Sequence, residues 1–236
     1  MADYKIAVDK TLINEGLFDN DPRDPGGMTY RGISRKSWSS WAGWHIIDHI
    51  LNNYKSKSAQ INQMTKNKSL QEEVYTFYKK RFWDKIKGDD IVSQEIANSV
   101  FDYSVNAHYK TASRAVQRIV GCKPDGAIGP ISIRHINNYS INTPSYKFQI
   151  NFLKEKSKRY RKIVKRNDKL SVYLFGWISR SFKYVEEVID INLLSNYIND
   201  KLTYRLYNVI VLGRDDKSYR NNEKTVNNLK GILNKL

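Results

Sequence analysis

Cysteine is almost absent: Cys122 stands alone in 236 residues, so no intrachain disulfide can form and no cysteine cluster can hold a metal. The fold must therefore stand on its apolar core, and 40% hydrophobic residues in a chain of this length allow one large domain or two tightly fused lobes. A continuous apolar stretch of about 18 residues, the minimum for a membrane-spanning helix, is also missing. The opening residues, MADYKIAVDKT, contain no apolar leader segment. Neither a signal peptide nor a membrane span is expected, and synthesis in the cytoplasm is. Proline and glycine number only 5 and 12 and are sparse outside two loops. Few runs alternate as strands do, so the chain reads as mainly α.

Several chemistries lack their residues. His45 and His49 have the i, i+4 spacing of zinc helices, but no glutamate accompanies them and no third ligand is evident, so no metal is expected. Ser34 and the other serines have no nucleophile elbow or histidine partner, which removes acyl transfer. Acid charge is in deficit: 40 Lys and Arg against 24 Asp and Glu leave +16, which calls for an anionic partner. The densest basic run is Leu153 to Lys169. No helix-turn-helix, zinc-finger spacing or RNA-binding aromatic motif speaks for nucleic acid.

What the chain does have is the stretch Asn14 to Ile33, NEGLFDNDPRDPGGMTYRGI. Helical spacing from Asp3 puts Val8, Leu12 and Glu15 on one face, and Gly16 supplies the stop. A carboxyl in a last turn meets the negative end of the helix dipole beside Leu12, Leu17 and Phe18, so Glu15 is expected to keep its proton. A glycosidase needs such a group to protonate a leaving oxygen. The loop beyond it carries Asp19, Asp21, Asp24 and Thr29, and Pro22, Pro25, Gly26 and Gly27 favour a rigid turn. An acidic surface turn capping the next element explains the same residues. A calcium loop does not, because Pro22, Arg23 and Tyr30 break the required ligand pattern.

Glu15, Gly16, Phe18, Asp21, Pro22, Asp24, Pro25, Gly26, Gly27, Thr29, Gly32 and Ile33 resemble the first motif of the phage-type N-acetylmuramidases of glycoside hydrolase family 108, with Leu17 replacing a Gly. Further matches are YKKRFWD at Tyr78 to Asp84, the stretch from Phe101 to Gly121, and PDGAIGP. In the second of these, His108 stands where a Gly is usual. GWISR at Gly176 to Arg180 resembles a third signature. The resemblance implies a lysozyme-like helical fold of two fused lobes around a cleft: a catalytic region over 1–90, a peptidoglycan-binding region over 91–182, and a helical extension over 183–236. It implies a cofactor-free, monomeric endolysin-like muramidase cutting the β-1,4 bond between N-acetylmuramic acid and N-acetylglucosamine. Glu15 is then the acid, with Asp24 and Thr29 handling water and Asp21 as substitute. The +16 charge then attracts the protein to the anionic cell wall and to anionic lipid headgroups. Action in the periplasm would follow holin-like release. A wall-binding or secretion-associated protein without turnover and a nucleic-acid binder are the competing classes.

Asp21, Tyr30, Trp83, Asp102 and Asn106 are the expected glycan contacts, the last two as an i, i+4 pair that a purely structural hydrogen-bonding role explains equally well. Trp38, Trp41 and Trp44 recur at helical spacing and are expected in the core. Helices are expected over roughly 3–15, 35–52, 70–85, 93–106, 110–120, 131–137, 144–164 and 171–188, with one or two more after Leu193 packing as amphipathic elements. The polar stretch 52–69 reads as a surface connection.

Overall fold

The computed structural model describes residues 1–20, 27–188 and 223–233. It is mainly α, as the periodicity requires, with one small antiparallel sheet. Its chain divides into two compact units, Met1–Ala112 with Ala127–Gly129, and Ser113–Gly126 with Pro130–Leu236.

The first unit is built on α1 (Tyr4–Leu12) and α5 (Gln94–Ala107). Every residue from Ile96 to Ser104 is buried, which marks α5 as a central helix enclosed on all sides. Asp3 caps α1 by accepting from Lys5 N, and Ser93 caps α5 by accepting from Ile96 N. Gln94 ties the two starts together, its Oε1 accepting from Asp3 N at 2.6 Å and its Nε2 donating to Asp3 O at 3.0 Å. Ala7, Val8 and Leu12 supply the apolar face of α1.

Strands β1 (Phe18–Asp19), β2 (Thr29–Tyr30) and β3 (Ile33–Ser34) follow α1. Each is two residues long, too short to show alternation, so the sequence does not announce the sheet. Arg31 (φ 48°) and Gly32 (φ 76°) make the two-residue β2–β3 connection with positive φ at both positions, as a type I′ hairpin turn demands.

Helix α2 (Gly43–Asn53) starts later than expected. Residues 35–42 form successive turns instead, with Trp38 N donating to Ser34 O and Trp41 N to Trp38 O. The three tryptophans therefore do not share one helix, although Trp41 and Trp44 are buried and pack edge to face at 5.1 Å. The expected connection over 52–69 is replaced by α3 (Lys57–Lys66). Ser56 caps it through Ala59 N, and the single fully buried side chain, Met64, anchors it. One apolar anchor in ten residues leaves almost no periodic signal.

Helix α4 (Lys68–Tyr78), capped by Asn67 through Leu70 N, runs into a π-helical turn over Lys79–Trp83 and short 3₁₀ turns over Asp84–Ile86 and Gly88–Asp90. The wider turn sends Trp83 inward against Tyr4 and Phe101, with ring centres at 5.5 and 5.6 Å.

In the second unit, α7 (Pro130–Asn142), α8 (Ser145–Arg166), α9 (Leu174–Glu186) and α10 (Glu223–Leu233) accompany the end of α6 (Tyr109–Ile119). Ile150, Leu153, Tyr160 and Val164 of α8 join Leu174, Phe175, Ile178, Phe182 and Val185 of α9 around Leu229 and Ile232 of α10 in one apolar core, with Trp177 partly buried against it. The packing expected of the C-terminal segment is thus seen for α10, while 189–222 lie outside the described residues. Gln117 holds the loop after α6: its Nε2 donates to Asp125 Oδ1 and Ser132 Oγ, and its Oε1 accepts from Gly126 N.

Candidate functional site

Glu15 does not sit in the last turn of α1. The helix stops at Leu12, and Asn14 N and Glu15 N donate to Thr11 O and Leu12 O at 3.0 and 3.3 Å, closing the chain in tight turns. Arg31 N then donates to Leu17 O at 2.9 Å, which draws the segment after Glu15 onto the β2–β3 turn. The half-buried Glu15 carboxyl rests over Gly32. A Cβ at that glycine would lie 2.7 Å from Glu15 Oε2 and 2.8 Å from the Tyr78 hydroxyl, so one point brings acid and phenol together. Tyr78 Oη donates to Arg31 O at 2.6 Å.

The sheet register sorts its side chains. Phe18, Tyr30 and Ile33 are cross-strand neighbours on one face, and Asp19, Thr29 and Ser34 are neighbours on the other. The first row faces the core, with Tyr30 and Ile33 fully buried. The second is a polar row in which Thr29 Oγ1 donates to Gly27 O at 3.2 Å. Thr29 and Glu15 thus belong to one local construction of loop, sheet and turn. Asp21 and Asp24 lie outside the described residues.

Three expected glycan contacts belong to the core. Tyr30 is 0% exposed, its hydroxyl donating to Met64 O and accepting from Gln71 Nε2, so it ties β2 to α3 and α4. Trp83 is also 0% exposed and donates from Nε1 to Asp89 Oδ1 at 2.7 Å. Asp102 is 1% exposed, whereas Asn106 is exposed, so the pair is not presented together. Tyr30, Trp83 and Asp102 cannot touch a glycan from these positions. For Tyr30 and Trp83 the reason is that a large side chain with a polar tip finds its hydrogen bonds and contacts inside the unit.

Tyr78 and Gly32 are the members that sequence reading did not single out as site residues. Their signal was present only as membership of the first two motifs. From Tyr78 an aromatic group continues outward through Phe82 and Phe77 to Trp38, over whose ring the exposed Arg81 guanidinium lies at 4.4 Å. Behind the site, Asp9 accepts from Lys5 and Tyr75. Burial alone would raise the Asp9 carboxyl, but these two hydrogen bonds bring it below its ordinary range. Burial, reinforced by nearby Tyr75, Tyr78, Asp84 and Asp9, pushes the Tyr4 hydroxyl far up, and it donates to Tyr75 O.

Among the described residues no three His, Cys, Asp or Glu side chains gather as a metal site requires. His45 and His49 are both exposed. None of the described helices is long and apolar enough to cross a membrane.

No curated protein sequence matches the chain. Eleven solved chains do. One of them, described as the structure of Brucella abortus SagA, is similar at a TM-score of 0.54 and 20% identity over 78% of this chain and 92% of that chain. Likeness at that identity is one of fold. Residues 8–107, which hold Glu15, the three-stranded sheet, Tyr78 and the whole of α5, match the family model described as Glycosyl hydrolase 108, and it is to that family that this part of the chain is similar.

Proposed function

We propose that the chain is a glycoside hydrolase of the 108 family that acts on peptidoglycan, cutting the β-1,4 bond between N-acetylmuramic acid and N-acetylglucosamine. The observation that carries the reading is the seat of Glu15: a half-buried carboxyl held over Gly32 beside a phenol, inside the segment that matches the glycoside hydrolase family. In this mechanism Glu15 gives its proton to the glycosidic oxygen as the bond to C1 breaks and positive charge develops on the ring. A water then adds to C1. Asp24 takes its proton and Thr29, in the polar row of the sheet, orients it, with Asp21 as the substitute base. The excess of Lys and Arg favours approach to the anionic wall, and the site of action is the periplasm, reached by holin-like release.

The test is release of soluble muropeptides from purified peptidoglycan, with mass spectrometry of the new reducing ends. Muramic-acid ends from the wild type and a loss of about 10²-fold or more in Glu15→Gln are expected, the range general acids command. Each of three results would overturn the assignment: no products, which leaves a wall-binding protein without turnover, glucosamine ends, which show a different bond cut, or an equally active variant, which shows a different active site.

A further inference from the structure

Two arginines of the first unit lie over tryptophan rings, and they differ in what completes them. Arg35 lies over Trp44 at 5.4 Å, and its fork grips Asp48, Nη1 donating to Oδ1 at 2.5 Å and Nη2 to Oδ2 at 2.8 Å. A ring beneath the guanidinium and a carboxylate at its edge together fix its plane. Arg81 lies over Trp38 at 4.4 Å, closer than its counterpart, but it is exposed and no carboxylate among the described residues pairs with it. Stacking occupies only the face of a guanidinium, while its N–H donors lie in its plane. The edge that Asp48 fills in one arrangement is open to a ligand in the other.

We infer that Arg81, laid on Trp38, binds a carboxylate carried by the muramic acid residues of the substrate. This rests on the glycosidase reading of Glu15 and adds to it the charged group of the glycan that the chain recognises. Two connections tie the pair to the proposed site. Trp38 N donates to Ser34 O at 2.9 Å, so the ring follows directly on the polar row of Asp19, Thr29 and Ser34. Trp38 also meets Phe77 at 5.2 Å, Phe77 meets Tyr78 at 5.5 Å, and Tyr78 shares with Glu15 the space at Gly32. The π-helical turn Lys79–Trp83 separates its side chains, burying Trp83 and leaving Arg81 outside. In the glycan only muramic acid bears carboxylates, on its lactyl group when peptide-free and on the stem peptide when substituted, whereas N-acetylglucosamine bears none. A fixed cation beside the site therefore distinguishes the two alternating sugars and favours one register of the strand over the other.

The experiment measures by calorimetry the binding of short glycans to the full chain carrying Glu15→Gln, which on this reading leaves them uncut, and to the same chain with Arg81→Gln added. Three glycans are compared: a peptide-free form with free lactyl carboxylates, the same form methyl-esterified, and a form bearing stem peptides. Arg81→Gln should weaken binding of a carboxylate-bearing glycan about tenfold, the loss of a charge-assisted fork, and should not change binding of the ester. A loss with the peptide-free form assigns the lactyl carboxylate, and a loss with the stem-bearing form alone assigns the stem peptide. Lys80→Gln removes the same charge from the exposed neighbouring position and should change nothing. Three results would overturn the inference: no effect of Arg81→Gln with either carboxylate-bearing form, an equal effect with the ester, or an equal effect of Lys80→Gln. Arg81 is exposed, so its replacement strands no buried partner, and equal Tm of the chains compared checks that the fold is kept. Failure of the glycosidase reading shows separately, as absence of turnover of purified peptidoglycan by the wild type.

Discussion

Gly32 shows how a missing carbon can make a site. Its φ of 76° is open to glycine and strained for any other residue, and the volume where a side chain would begin is filled by the Glu15 carboxyl and the Tyr78 hydroxyl. Gly32→Ala is therefore expected to cost about 1–2 kcal/mol from backbone conformation alone, and more because neither neighbour is the end of an unconstrained chain. Activity should fall further than stability, since both groups move. Melting and muropeptide release on the same preparation check this, and a variant with wild-type turnover would show that the Glu15 seat is not required. Glu15 could be named as a candidate from the sequence because the loop after it matches a family motif residue by residue, not because its Asp, Pro and Gly are rare in turns. The nearness of Tyr78 could not be read, because it lies 63 positions away and only the fold brings both side chains to Gly32.

Elements end where their neighbours allow, and the end of α5 carries strain. His108 occupies the C-cap at φ 76° and ψ 139°, a conformation natural to glycine. Its ring lies against Tyr109 at 4.4 Å, and its carbonyl accepts from Thr111 N and Ala112 N, so the residue is held there by the start of α6. His108→Gly should relieve the strain and stabilise the protein by about 1 kcal/mol, net of the lost ring contact. A lower melting temperature in that variant would mean that the ring contact outweighs the backbone term. The departure of His108 from the resembled pattern thus marks a real junction in the structure. The helix at 93–106 was legible because a capping serine, Ser93, and apolar spacing coincide there, and the one at 110–120 from its spacing alone. Helix α3 was not: its caps, Ser56 and Asn67, are short-range signals inside a stretch whose only buried anchor is Met64. The sheet escaped for the same reason in another form, since strands of two residues hold no period to read.

Over the whole molecule the charge is unevenly spread. Residues 1–112 contain 16 Lys and Arg against 14 Asp and Glu, while residues 113–236 contain 24 against 10, so nearly all of the excess belongs to the second part. On α8 and just beyond it, Lys158, Lys162, Lys165, Arg166 and Lys169 are exposed, and the two acids of the run from Leu153 to Lys169 are both engaged, Glu155 by Arg118 and Lys158 and Asp168 by Lys230. The attraction to an anionic wall proposed above is therefore assigned to residues of the second unit, whereas Glu15 and Thr29 belong to the first. Replacing Lys162, Lys165 and Lys169 with Glu should weaken adsorption to insoluble peptidoglycan by about tenfold at low ionic strength, with the difference fading in high salt. Cleavage of soluble fragments should be unchanged. Equal adsorption of both proteins at low salt would place the attraction elsewhere.

The tryptophans have a similarly uneven distribution, with an optical consequence. Trp38, Trp41, Trp44 and Trp83 all belong to the first unit, three of them buried, whereas Trp177 alone belongs to the second, stacked with Tyr173 and tilted against Tyr160. The lone thiol, Cys122, is in the second unit as well. Intrinsic fluorescence therefore follows the first unit almost alone, while a dye coupled to Cys122 follows the second. Two traces that separate during heating would reveal halves that melt one after the other, and two that coincide would reveal a single cooperative body.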